Sequence, residues 1–163
     1  WQAMYDVNLR HLFSVTRAFL HPMIDRGGGS IVNLHSVEGT RGFPGDPVYA
    51  AMKAGATHFT RSLAAGYGRK NVRCNGIGPD LIQTPQVDYL TGHEDHDERW
   101  ESWAPVGRVG WPEDVARVAL FLASDLSAFV TGHNIPVDGG SLAQSGWFFS
   151  PKARRFVNRP VDL

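Results

Sequence analysis

Two short strand-like segments separated by a helix-length segment limit the fold of this chain more than any other feature. Residues 31–34 and 72–77 have the length and β-branched content of buried strands. Between them, residues 48–69 carry Ala50, Ala51, Ala54, Gly55 and Ala56, with Phe59 and Leu63 extending an apolar stripe. That is the pattern of a helix that packs closely on its neighbours. A strand, a long crossover and a second strand is what a parallel sheet requires, and such crossovers are right-handed. The spacing predicts two parallel strands joined across one face of a sheet.

The flanking segments extend the same architecture. Residues 5–25 place Leu9, Leu12, Phe13, Phe19 and Met23 at helical spacing, which predicts an amphipathic helix. Gly27, Gly28 and Gly29 come after it and precede a strand, so they serve to stop the helix. A phosphate-binding turn has the opposite order, strand then glycines then helix. Pro112, Glu113 and Asp114 open another helix, with proline in its first turn and acids at its positive end. Asn134–Val137 closes the sheet.

The chemistry concentrates between the first strand and the crossover helix. Ser36 comes directly after the strand, a loop rich in glycine and proline is next, and Tyr49 and Lys53 then stand four apart. On a helix those two share a face. A free phenol has a pKa of about 10 and is a poor base at neutral pH. An ammonium about 4 Å away, at an effective dielectric of about 20, is worth roughly 4 kcal/mol. Lys53 would lower the pKa of Tyr49 by that means, so that it takes a proton from an alcohol or returns one to a carbonyl. Ser36 would hold the substrate oxygen and stabilise charge there. The hydride needs a cofactor, because no side chain donates one. By itself Tyr-x-x-x-Lys is modest evidence, since chance supplies roughly 0.07 such pairs in this composition, and a surface pair without a role is the plain alternative.

The pair does not stand by itself. Ser36 precedes Tyr49 by thirteen residues, and the segment resembles the active-site region of the short-chain dehydrogenase/reductase family, where a catalytic serine has that spacing. Asp6-Val7-Asn8-Leu9 is similar to the family segment that carries a catalytic Asn. NVRCNGIGP at residues 71–79, followed by Ile82 and Thr84, looks like the strand and turn that reach the nicotinamide. GRVGWPED at 107–114 and TGHNIPVDGG at 131–140 resemble the last helix start and the closing strand.

The resemblance implies the carboxyl half of a doubly wound, Rossmann-like α/β domain. It implies a single partial domain over residues 1–163, with residues 141–163 as a tail extension and the amino-terminal dinucleotide-binding half missing. The implied activity is an NAD- or NADP-dependent interconversion of a secondary alcohol and a carbonyl on a small-molecule substrate. Tyr49, Lys53, Ser36 and Asn8 would be catalytic, Asn8 through a water that links the lysine to solvent. Tyr49, Lys53, Pro79, Ile82 and Thr84 would bind the cofactor. The helices bearing Asn8 and Tyr49 would pack against a second subunit in a homodimer or homotetramer. Asn8 could instead be a cap or turn residue. The family usually has glycine after Pro79, and here Asp80 stands there. Either the loop is displaced or the carboxylate takes a local backbone hydrogen bond.

No Gly-x-x-x-Gly-x-Gly precedes Asn8. The expectation is a fragment or a truncated gene product that binds dinucleotide no more tightly than about millimolar. The alternative function is a non-catalytic relative that keeps only an assembly surface. A serine hydrolase is disfavoured by the lack of Gly-x-Ser-x-Gly, and a related epimerase or dehydratase by the closing VDGG. With 16 basic and 16 acidic residues there is no electrostatic case for nucleic acid or an anionic membrane. The longest apolar run, 118–123, is far too short to span a bilayer. The lone Cys74 cannot form an internal disulfide and suits a reducing cytoplasm.

Residues 86–103 fall where the family places a substrate-covering segment. HEDHDE at 93–98 is read as part of a solvated lid rather than a metal site, because consecutive residues seldom converge on one ion. Trp100, Trp103 and Trp111 either line an apolar pocket or serve ordinary packing. In the tail, Trp147, Phe148, Phe149 and Phe156 alternate with Lys152, Arg154, Arg155 and Arg159. The neutral chain argues against nucleic acid there, and packing over a neighbouring subunit or a pocket is expected.

Overall fold

The computed structural model describes residues 1–90 and 100–157, with the side chains of 88–90 left aside. Three strands, β1 (Gly29–Leu34), β2 (Val72–Pro79) and β3 (Asn134–Val137), form a parallel sheet in the order β1-β2-β3. Gly29 pairs with Val72 and Leu34 with Ile77, while Gly76 pairs with Asn134. The predicted crossover is present, and β1 and β2 both run longer than their apolar cores suggest.

Strand alternation distributes the helices. Cys74 and Val72 face one side, where they join Leu20, Leu63 and Ala64 in a buried cluster with Ile31 and Phe59 packed on it. That side is covered by the amino-terminal helices and by α3 (Pro47–Tyr67). Arg73 faces the other side, where its guanidinium donates to the Leu122 and Ser124 carbonyls and to Ser127 Oγ. Ser30 Oγ also donates to the Leu122 carbonyl at 2.7 Å. These bonds anchor α4 (Pro112–Ala123) to the sheet and satisfy carbonyls that its carboxyl end leaves free. Each fully buried Leu or Val in the opposite cluster contributes about 1.5–3 kcal/mol. Cys74 lies in that cluster, and burial pushes its thiol up to about 12.

The amino-terminal helix begins earlier than its periodicity indicates. α1 (Gln2–Tyr5) passes through a π-helical turn (Asp6–Arg10) into α2 (His11–Asp25). The extra residue in the turn rotates α2 about its axis. Leu12, Thr16 and Leu20 are buried, and Phe19 is 64% exposed rather than part of the buried stripe. At the other end Gly27 and Gly28 have φ of 99° and 118° and donate to the Ile24 and Met23 carbonyls, which closes the helix. Gly29, expected to share that task, already belongs to β1.

The carboxyl segment forms its own small unit. After α5 (Ser141–Gln144), strands β4 (Phe148–Ser150) and β5 (Arg155–Val157) pair antiparallel. Phe149 and Phe156 meet edge-on at 5.5 Å, and Arg154 bonds Glu101 at 2.7 Å. Phe149 and Phe156 face each other across the hairpin, while Lys152 and Arg154 lie in its turn. Arg159 lies outside the described residues. Among those described, no helix is long and apolar enough to cross a membrane.

Candidate active site

Ser36, two residues beyond β1, is extended and caps a short 3-10 turn (Val37–Gly39). Its Oγ accepts from the Glu38 amide at 3.2 Å and lies 3.5 Å from the Pro79 carbonyl at the end of β2. The turn rests on α3. A Cβ on Gly39 would come within 2.7–2.9 Å of Lys53 C and O and Ala54 N, so only glycine allows this approach. The serine turn is therefore seated on the helix backbone at Lys53.

Tyr49 is set one turn earlier on the same helix. Asp46 accepts from the Tyr49 amide at 2.9 Å, and Pro47 occupies the first helical position. Asp46-Pro47 is a helix-start signal present in the sequence, and a helix begun at residue 48 overlooks it. Phe43 from the intervening loop meets the Tyr49 ring edge-on at 6.1 Å. Lys53 Nζ stands 5.3 Å from the centre of that ring, so the pair shares a face as its spacing requires. Burial pulls the Lys53 ammonium below the usual lysine value.

Asn8 lies within the π turn, 9% exposed, which excludes a cap role. Its amide donates back to the Met4 carbonyl at 3.1 Å. The next residue, Leu9, lies 3.3 Å from where a Gly55 Cβ would be, so the turn packs on α3 just past Lys53. Ser36, Tyr49 and Lys53 are thus tied to one another through α3, and Asn8 sits on a neighbouring turn with its own local bond.

Beyond Pro79 the chain runs beside the segment before α4. Ile82 bridges Gly110, whose amide donates to the Leu81 carbonyl at 3.0 Å. Thr84 opens the Pro85–Leu90 turn, its carbonyl accepting from Val87. Among the described residues, Asp80 bonds side chains rather than local backbone through its carboxylate. Its amide still reaches the Val137 carbonyl, and its backbone lies outside the left-handed region where glycine is favoured. The carboxylate pairs with Arg41 at 2.9 Å and accepts from Ser141 Oγ and from Trp103 Nε1. Arg41 also pairs with Glu38 at 2.7 Å. Asp80 thereby joins the serine turn, the β2 exit and the start of α5, a set of contacts too distant in sequence to be foreseen.

Trp103 lines a cavity of about 280 Å³ with Leu81, Val106, Pro136 and Gly139. Trp100 packs on Trp103 at 5.8 Å, while Trp111 caps α4 and is half exposed. Ser36, Tyr49 and Lys53 do not line this cavity, which lies on the α4 side of the sheet. The acidic and histidine run at 93–98 lies outside the described residues. Among those described, no group of three metal-ligating side chains is gathered.

Gly39→Ala should lower turnover by about tenfold or more, because the added methyl forces the serine turn off Lys53. Gly42→Ala in the same loop meets nothing within 4 Å and should leave the rate unchanged. Steady-state kinetics of the two variants checks this.

A parallel sheet with flanking helices and a serine, tyrosine and lysine at its crossover defines a Rossmann-like α/β protein. The family model described as enoyl-(acyl carrier protein) reductase matches residues 1–141. A 3-oxoacyl-(acyl carrier protein) reductase of Thermotoga maritima is 45% identical over 140 residues, 86% of this chain and 56% of that protein. The corresponding reductase of Chlamydia trachomatis is 41% identical over the same shares. Among solved structures, a short-chain type dehydrogenase/reductase from Mycobacterium ulcerans superposes with a TM-score of 0.82 at 33% identity, over 88% of this chain and 52% of that one. A gluconate 5-dehydrogenase from Burkholderia cenocepacia, solved with NADP and tartrate, gives 0.81 at 33% identity, over 88% and 56%. The chain belongs to the short-chain dehydrogenase/reductase family. It spans about half the length of the relatives it matches.

Proposed function

We propose that the protein carrying this chain is an NAD(P)-dependent oxidoreductase that interconverts a secondary alcohol and a carbonyl. The observation that carries this reading is the seating of the Ser36 turn, through Gly39, on Lys53 of the helix that also bears Tyr49. The residues present suit the nicotinamide-ribose end of a dinucleotide. The half-buried Lys53 amine, a donor whose pKa burial lowers, stands beyond the carboxyl ends of parallel strands, where such ligands bind. When bound, the nicotinamide would supply or accept the hydride.

The proton chemistry belongs to the chain. Ser36 Oγ orients the substrate oxygen, and the Glu38 amide fixes that hydroxyl. Tyr49 gives its phenolic proton to a carbonyl or takes one from an alcohol, while Lys53 favours the negative phenolate oxygen. Asn8 contributes to a proton relay from the neighbouring turn. Pro79, Ile82 and Thr84 form the cofactor-side wall. Val7 at 71%, Val15 at 55% and Phe19 at 64% exposure leave an apolar helix surface that supports a homodimer or homotetramer.

The test uses the full-length polypeptide and follows reduced-nicotinamide absorbance with NADH and NADPH against 3-oxoacyl thioesters and keto-sugar acids. Carbonyl-dependent oxidation of one cofactor is expected. A folded protein that binds dinucleotide but turns over none of these carbonyls with either cofactor contradicts the proposal.

A further inference from the structure

We infer that His35, the residue before Ser36, is a positioning residue for the reaction, holding Ser36 by donating from Nδ1 to the Ser36 carbonyl. The inference rests on the oxidoreductase reading and extends it to a residue that touches no reacting atom. His35 is 6% exposed, and its Nδ1 lies 3.1 Å from the Ser36 oxygen. Burial holds the imidazole below its ordinary value, so at neutral pH the ring is neutral and carries one proton. A carbonyl oxygen only accepts, so this approach requires the proton on Nδ1. The other nitrogen, Nε2, lies beside Asn134 Oδ1, and both are buried and unbonded when the proton is on Nδ1. A proton on Nε2 would reach Asn134 instead, so the ring nitrogen shifts decide the tautomer.

The strand beside it is cut to receive the ring. A Cβ on Gly76 would collide with Asn134 Oδ1 and lie 2.6 Å from His35 Nε2, and one on Gly78 would lie 2.9 Å from Cε1. Glycines inside a strand weaken it unless something approaches closely, and here the imidazole does. The Ser36 carbonyl accepts a second bond from the Gly39 amide at 3.1 Å. Both of its lone pairs are then used, one by the turn that rests on Lys53 and one by His35. The sheet ladder reaches only as far as the His35 amide, which donates to the Ile77 carbonyl at 2.9 Å. Beyond that point the ring adds to the Ser36 Oγ contact with Pro79 and the Gly39 bond in holding the backbone from which Ser36 Oγ projects.

His35→Asn keeps a donor near the Nδ1 position, whereas His35→Phe keeps a ring and loses the donor. In the full-length polypeptide, His35→Phe should lower kcat by about twentyfold or more with KM for the cofactor little changed, since small misplacement of a reacting group is costly. His35→Asn should stay within about threefold of the parent. Equal losses in both variants, or none in His35→Phe, would overturn the inference. Ring nitrogen chemical shifts give a readout independent of turnover: a protonated, hydrogen-bonded Nδ1 is expected, and a bare Nδ1 overturns the assignment. A parent protein without nicotinamide-dependent turnover would defeat the oxidoreductase reading, while the nitrogen shifts would still decide the bond to Ser36.

Discussion

Tyr49→Phe should lower turnover at least a hundredfold while leaving the protein folded and able to bind cofactor, the scale on which general acid–base groups act. The substitution deletes one hydroxyl and keeps the ring that Phe43 and Lys53 meet. Helix α3 keeps its Asp46 cap, because the bond is made to the backbone amide of residue 49. The loss should fall on kcat rather than on affinity, since the hydroxyl acts on the reacting oxygen. Circular dichroism and steady-state kinetics at saturating cofactor check this. Activity within tenfold of the parent would remove Tyr49 from the acid–base role.

Lys53→Met should damage both rate and cofactor affinity, because one ammonium serves two partners. Met keeps the length and the apolar stem while removing the charge. In the direction of alcohol oxidation turnover should fall, since the ammonium beside the Tyr49 ring is gone. Stability should respond in a distinct way. Burial holds the folded Lys53 below its unfolded value, so between those two values the unfolded chain binds more protons and stability rises with pH. Lys53→Met should abolish that alkaline gain and be no less stable at neutral pH. Denaturant titrations across the alkaline range, beside steady-state kinetics, measure both effects. Unchanged turnover together with unchanged cofactor affinity would reject both roles.

Much of the fold and the site is legible in the sequence because it is local. The four-residue spacing of Tyr49 and Lys53 fixes a shared helix face, and strand–helix–strand spacing fixes a parallel sheet. What escapes is non-local or conformational. Periodicity puts Phe19 near the face of Leu12, yet Phe19 is 64% exposed while Leu12, Thr16 and Leu20 are buried, because what covers each side of the helix is not written in the helix itself. The ring of His35 fits only because Gly76 and Gly78 lie on the neighbouring strand, a relation that appears once the register Asn33↔Gly76 is known. Asp80 looks like an intrusion on a glycine position, yet its partners Arg41, Trp103 and Ser141 come from three separate segments. The hairpin of β4 and β5 is hidden because its aromatic and basic alternation also fits a tail packed on a neighbour.

If protons pass through Tyr49 while a hydride passes from a nicotinamide to a carbonyl carbon, the full-length protein supplied with reduced nicotinamide dideuterated at C4 should give an alcohol that mass spectrometry shows to carry deuterium at the carbinol carbon. Tyr49→Phe should lose that transfer. A product without deuterium, or equal transfer by the Tyr49→Phe protein, would contradict that route.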